Sequence, residues 1–326
     1  MPRAVTIIMY HYIRDLRNSR HPNIKGLDIR LFREQIEYLS NNYTIITMES
    51  LIAACDAAES GEGAALPENA ALLTFDDGYL DHYTNVFPLL DALGVQGSFF
   101  FPTKSLMREA ILEVNKIHLI LASAHSTYIY GSLLSLLDRH RGVEFPIPDN
   151  SELIHDYAIP YYYDGAEIGF IKRMLQTALP RRLRELITNV LFHEYVPESV
   201  NPKAVMNDLY CDVHQALMMK RYGMYIGVHG NSHEWLGNIE QAEAEDDIRA
   251  AVGQMNEMGL IDPKAWVMNY PYGSWNDNIV QYIRDRGCAL GLTTRKGVAA
   301  PGRDDRLLLP RMDTNDFPPI KTARTP

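Results

Sequence analysis

Cysteine is scarce: Cys55, Cys211 and Cys288 are the three among 326 residues, far apart and with no C-x-x-C pair. That excludes a disulfide framework and a thiolate zinc site, and it fits a reducing compartment. Long apolar runs are missing too. No window of about 20 apolar residues occurs, so no transmembrane helix is expected. The N-terminal apolar run, Ala4–Tyr10, is too short for a signal sequence and meets His11 directly, which makes a cytoplasmic protein the expectation. Positive charge is in deficit, with 31 Lys and Arg against 41 Asp and Glu and a net charge of −10. This argues against nucleic acid or an anionic membrane as partner. The one basic stretch, Lys172–Arg184, reads as a solvated helix face. Repeats and low-complexity segments are absent, and a hydrophobic fraction of 46% excludes a disordered or fibrous chain.

What is present alternates. Short apolar runs predict strands at Val5–Tyr10, Ala71–Phe75, Gln96–Phe101, Met224–Val228, Trp266–Asn269 and Ala289–Thr293, with a weaker one at Thr44–Thr47. Between them, Arg30–Asn41, Met48–Glu59, Asp81–Leu93, Gln241–Met258 and Asn276–Arg286 carry apolar residues at helical spacing. Strand and helix in turn imply a mainly parallel sheet with helices packed outside it. The rhythm breaks from about residue 105 to 221, where the pattern is mostly helical. That is too long for a loop, so residues 1–326 read as a single domain with a helical insertion at about 105–221. Such an insertion could roof a substrate cleft, pack against the barrel or form an oligomer contact.

The chemistry-bearing residues follow strands. Val5–Tyr10 ends at His11, Ala71–Phe75 at Asp76-Asp77-Gly78, Met224–Val228 at His229, and Trp266–Asn269 at Tyr270-Pro271-Tyr272-Gly273. In a parallel α/β fold the C-terminal strand ends share one rim, and sites form there. Adjacent carboxylates are costly unless a cation or proton separates their charge. A metal on one and a proton-abstracting role for the other resolves this, although Asp-Asp ahead of a helix also serves as a plain cap. His229 and His233, at i and i+4, can share one face of a helical turn and converge on an ion. One carboxylate and two imidazoles with open positions make a hydrolytic metal site.

These motifs resemble those of the polysaccharide deacetylases, the NodB-homology group of carbohydrate esterases. Thr74-Phe75-Asp76-Asp77-Gly78 is similar to their first motif, His229-Gly-Asn-Ser-His233 to their H-(S/T)-x-x-H motif, and Asn269-Tyr270-Pro271-Tyr272-Gly273 to their R-x-P-Y motif. The match covers about residues 4–104 and 222–312. The resemblance implies a distorted (β/α)7 barrel. It implies Asp77, His229 and His233 as ligands of a divalent metal, most often zinc, with Asp76 as general base. Tyr272 would offer its backbone N–H to the oxyanion.

Two features depart from the pattern: Asn269 stands where an Arg is common, and Leu309-Pro310-Arg311 lacks the usual C-terminal histidine. His11 is the candidate general acid, since Met9-Tyr10-His11 resembles the subgroup acting on poly-N-acetylglucosamine; Asp313 or Asp316 is a candidate to orient it. Trp235, Trp275 and Tyr161–Tyr163 are candidate sugar platforms. The expected activity is removal of an N-acetyl or related acyl group from a sugar or glycan. The alternatives are C–N hydrolysis of a small non-sugar amide or imide, and a non-catalytic glycan-binding module. The sequence leaves the oligomeric state open.

Overall fold

The computed structural model describes residues 4–63, 66–160 and 164–319. The strands are β1 Val5–Tyr10, β2 Ile13–Arg14, β3 Leu27–Asp28, β4 Thr44–Ile45, β5 Ala70–Phe75, β6 Ser98–Phe101, β7 Tyr225–Val228, β8 Trp266–Asn269, β9 Cys288–Lys296 and β10 Leu309–Asp313. Seven of them lie side by side in the order β1-β10-β9-β8-β7-β6-β5, all parallel, and β1 pairs again with β5 to close the ring. The fold is therefore the (β/α)7 barrel. Short β4 adds to the start of β5, and β2 pairs with β3 apart from the barrel.

Strands β5, β6 and β8 are buried at every residue. Both faces are covered, which is why they read as unbroken apolar runs and not as alternation. Successive side chains sort onto two faces. Val5, Ile7, Leu72, Phe100, Val267, Leu290 and Leu292 share one cluster, while Ile8, Tyr10, Leu73, Phe75, Phe99 and Met268 join the helices in the other.

The predicted strands and helices recur with ends shifted by at most a few residues; the barrel strand β10 and the short pair β2 and β3 were not foreseen. In β10, Pro310 and Arg311 interrupt the apolar pattern. The pairing with β9 shifts register between Leu309 and Arg311, which lets a proline sit inside the sheet. The mostly helical stretch ends in two helices, Pro202–Leu209 and Val213–Arg221. They part because Tyr210 bridges to Tyr79 and Asp212 opens the second with a capping box to Gln215.

The chain divides into two compact units. One is built from the described residues of Met1–Asp15, Gly26–Ala110 and Asn207–Pro326 and holds the barrel; the other comprises Leu16–Lys25 and Ile111–Met206. The second is helical, with Ile120, Ile129, Leu133, Phe170, Ile187 and Leu191 at its core and Asp164 buried between Lys25 and Lys172. Among the described residues, no helix is long and apolar enough to cross a membrane.

Candidate metal centre

Register brings the motifs together. Tyr10 lies opposite Phe75, so His11 and Asp76 leave neighbouring strands at one level, with the Asp76 amide donating to Tyr10 O. Phe101 lies opposite Val228, and the His229 amide donates to Phe101 O; Val228 in turn lies opposite Met268, one residue before Asn269. All these segments belong to the barrel unit.

The chain turns sharply past β5. Asp77 and Gly78 both have positive φ, 72° and 66°, and a Cβ on Gly78 would stand 2.4 Å from the Phe101 ring, so only glycine fits. Five non-glycine residues among those described have positive φ, and Asp77, His233 and Tyr272 are three of them. Such backbone is costly and gathers where the surroundings enforce it at functional sites.

The turn aims Asp77 at two imidazoles. The Nε2 atoms of His229 and His233 each lie 3.2 Å from Asp77 Oδ1, with all three side chains buried. Ligand atoms sharing one ion at zinc-like bond lengths stand about 3.3 Å apart at tetrahedral angles. Asp77 Oδ1 is buried with no hydrogen-bond partner, an expensive state for a carboxylate oxygen that a cation would relieve.

The protonation states agree. Burial opposes ionisation of Asp77, but the close approach of His229 and His233 outweighs that and holds its carboxyl well below the usual range. Burial pushes the His233 imidazole down, more than Asp77 draws it up. His229 Nδ1 donates to Asn269 O at 2.7 Å, which fixes the tautomer and leaves Nε2 as the ligating atom. An ionised carboxylate and neutral imidazoles are what a divalent ion requires. The residues present therefore fit a metal.

The loop 229–233 is not the helical turn suggested by the spacing. It is irregular, with φ of +71° at Gly230 and +58° at His233. Asp247, from the helix Gln241–Glu257, explains this by accepting the amides of Asn231 and Ser232 at 2.8 and 2.9 Å. A Cβ on residue 230 would come within 2.8 Å of that carboxylate, which accounts for glycine where Ser or Thr is usual.

Asp76 stands beside this cluster, gripped by a residue the sequence reading passed over. Arg311 donates through both terminal nitrogens to the two Asp76 oxygens at 2.9 Å, to Thr74 Oγ1 and Asn269 Oδ1, and through Nε to Thr293 O. Asn269 adds its own amide to Asp76 Oδ1. The arginine absent from the third motif is thus supplied by β10. The available signal was a lone arginine following the apolar run Leu307-Leu308-Leu309, where a buried charge needs a partner. Burial alone would raise the Asp76 carboxyl; Arg311 and then His11 overcome it, and the net shift is downward.

His11 is half-exposed, with Nε2 3.8 Å from Asp76 Oδ2. Its carbonyl accepts from Nε2 of the buried His82 at 2.9 Å. Asp313 and Asp316 are engaged elsewhere: Asp313 accepts from Asn315, and Asp316 accepts from the Asp313 amide and Lys296. Tyr272 has left-handed backbone (φ 58°), and its ring packs edge-on against His233 and flat on Trp235, centroids 4.2 Å apart. One face of Trp235 is therefore occupied by Tyr272; Trp275 stays 39% exposed. Tyr161–Tyr163 lie outside the described residues.

The protein is thus a closed parallel α/β barrel with a buried Asp-His-His cluster, able to hold a metal ion, at its strand ends. The Polysaccharide deacetylase family profile matches residues 63–124 and 199–291. Over these two stretches the chain is similar to the polysaccharide deacetylases. It is 48% identical over 86 residues to the poly-beta-1,6-N-acetyl-D-glucosamine N-deacetylase of Escherichia coli K12, a stretch covering 26% of this chain and 12% of that protein. The chain spans about a third or less of the length of the first sequence relatives it matches, 34% and 12%. The fold is shared with the Streptococcus pyogenes deacetylase PplD solved with acetate, at 16% identity and a TM-score of 0.55 over 96% of this chain and 93% of that one. IcaB from Ammonifex degensii matches similarly, at 16% identity and a TM-score of 0.53 over 95% and 91% of the two chains.

Proposed function

We propose that this protein is a metal-dependent deacetylase that hydrolyses the N-acetyl or related acyl group of an acetamido sugar within a glycan. The observation that carries this is the meeting of Asp77, His229 and His233 around one unpartnered carboxylate oxygen, with Asp76 and His11 alongside. The match to the polysaccharide deacetylase profile and the name of the Escherichia coli relative support the sugar substrate. Asp77 Oδ1 and the two Nε2 atoms would hold the ion, zinc by the match of one carboxylate and two imidazoles. A divalent ion there acidifies a water molecule and polarises the acyl carbonyl.

The protein groups supply the proton traffic. Amide hydrolysis joins water oxygen to the acyl carbon, breaks the C–N bond and leaves an amine needing a proton. Arg311 keeps Asp76 ionised at neutral pH, ready to take the proton that water loses. His11 faces Asp76 from the exposed side and gives its proton to the departing nitrogen, a poor leaving group until protonated. The Tyr272 backbone N–H steadies the oxyanion.

The test is release of free amine from N-acetylglucosamine oligomers, β-1,4- and β-1,6-linked. Zinc-loaded protein releases amine and chelator stops it. Asp76→Asn keeps its zinc yet loses about 10²–10⁴ in kcat, and His11→Ala loses about 10² or more, as for removal of a general base or acid. Full turnover by Asp76→Asn would overturn the assignment.

A further inference from the structure

Asp77 has two carboxylate oxygens, and only one faces the imidazoles. The other, Oδ2, accepts the Tyr79 hydroxyl at 2.6 Å, a short charge-assisted hydrogen bond. Tyr79 is fully buried and held from several directions. Its ring stacks on Tyr12 with centroids 3.9 Å apart and meets His82 edge-on at 5.6 Å. Its backbone bridges to Tyr210, and its carbonyl accepts the Cys211 thiol. Tyr12 in turn lies under the Arg14 guanidinium, 4.9 Å from its ring centre, and Arg14 pairs with the buried Asp81 at 2.7 Å. Nothing in the hydrolytic chemistry assigned to Asp76, His11 and Tyr272 uses this phenol.

We propose that Tyr79 is a positioning residue for the metal, its hydroxyl retaining Asp77 Oδ2 so that the carboxylate offers the ion a single oxygen. This rests on the reading of Asp77, His229 and His233 as a metal site. A carboxylate free at both oxygens can chelate, which suits larger ions such as calcium. One tied at Oδ2 favours small ions that accept a single carboxylate oxygen and two imidazoles, and it leaves positions open for water and the acyl oxygen. Outer-sphere partners of this kind typically alter metal affinity about 10–100-fold when removed.

The experiment titrates Co²⁺ into metal-free wild type and Tyr79→Phe, reading both the dissociation constant and the visible d–d bands. The expected result is tight uptake by wild type, about 10–100-fold weaker uptake by Tyr79→Phe, and altered bands in the variant as the freed oxygen reaches the ion. Wild type and Tyr79→Phe that agree within about 2-fold and share one spectrum would overturn this inference alone, well inside the shift expected. Wild type that takes up no Co²⁺ would overturn the metal site itself. Should Tyr79→Phe fail to fold, the infrared difference spectrum of wild type on Zn²⁺ binding decides. A wide antisymmetric–symmetric carboxylate splitting marks one-oxygen coordination and supports the role; a narrow splitting marks two-oxygen coordination and overturns it.

Discussion

Arg311 uses its whole guanidinium on four acceptor groups, and the consequence for Asp76 is twofold. The carboxylate is oriented by a bidentate pair, and its charge is balanced where water cannot reach it. Removing the arginine would strand a buried anion, a loss of typically about 3–5 kcal/mol. Arg311→Met is therefore expected to lower unfolding free energy by that order in urea titrations at pH 7. The double variant Asp76→Asn, Arg311→Met should recover part of the loss, because no charge is left unpaired. Equal destabilisation of single and double variants would show that arginine packing, and not the ion pair, is what matters. This pair was invisible to a local reading: the partners are 235 positions apart. The local departures, Asn269 for arginine and no histidine near residue 311, were legible as gaps but not as one compensation.

At the scale of elements, β1 and β8 match their predicted ends to the residue, because each is a clean apolar run stopped by a polar or aromatic turn. The strand β10 did not show itself, since a proline and a buried arginine carry no strand pattern until the sheet partner is known. The loop 229–233 was legible in its two histidines and not in its shape. The i, i+4 spacing fits a helical turn, yet Asp247 captures two loop amides and holds a different backbone. Asp247→Asn replaces an anionic acceptor with one oxygen and one NH₂ group, so one loop amide loses its partner. Zinc affinity, measured by chelator competition, is expected to fall about 10-fold, the lower end for outer-sphere changes. Unchanged affinity with intact fold would mean the loop keeps its form without that carboxylate.

Across the whole molecule, closure of the ring is what makes the site: β1 must meet both β5 and β10 before His11, Asp76 and Arg311 become neighbours. His82 ties this arrangement to pH. Burial lowers its imidazole from 6.5 to about 4, while it donates to the His11 carbonyl from among Phe75, Tyr79 and Phe99. The unfolded chain takes up the proton near 6.5 and the folded chain only near 4. The stability owed to neutral His82 is thus complete above pH 6.5 and is lost as pH falls through 4, by roughly 3 kcal/mol in all. His82→Asn should flatten the stability profile between pH 6.5 and 4 relative to wild type; parallel profiles would contradict the assignment.

Zinc stoichiometry bears on the whole account most directly. Metal-free protein titrated with Zn²⁺ in a calorimeter should bind one ion per chain. Asp77→Ala, His229→Ala and His233→Ala, each still folded by circular dichroism, should each lose that tight site. Wild type that binds no zinc, or three variants that bind it as tightly as wild type, would contradict the claim that these side chains hold one ion between them.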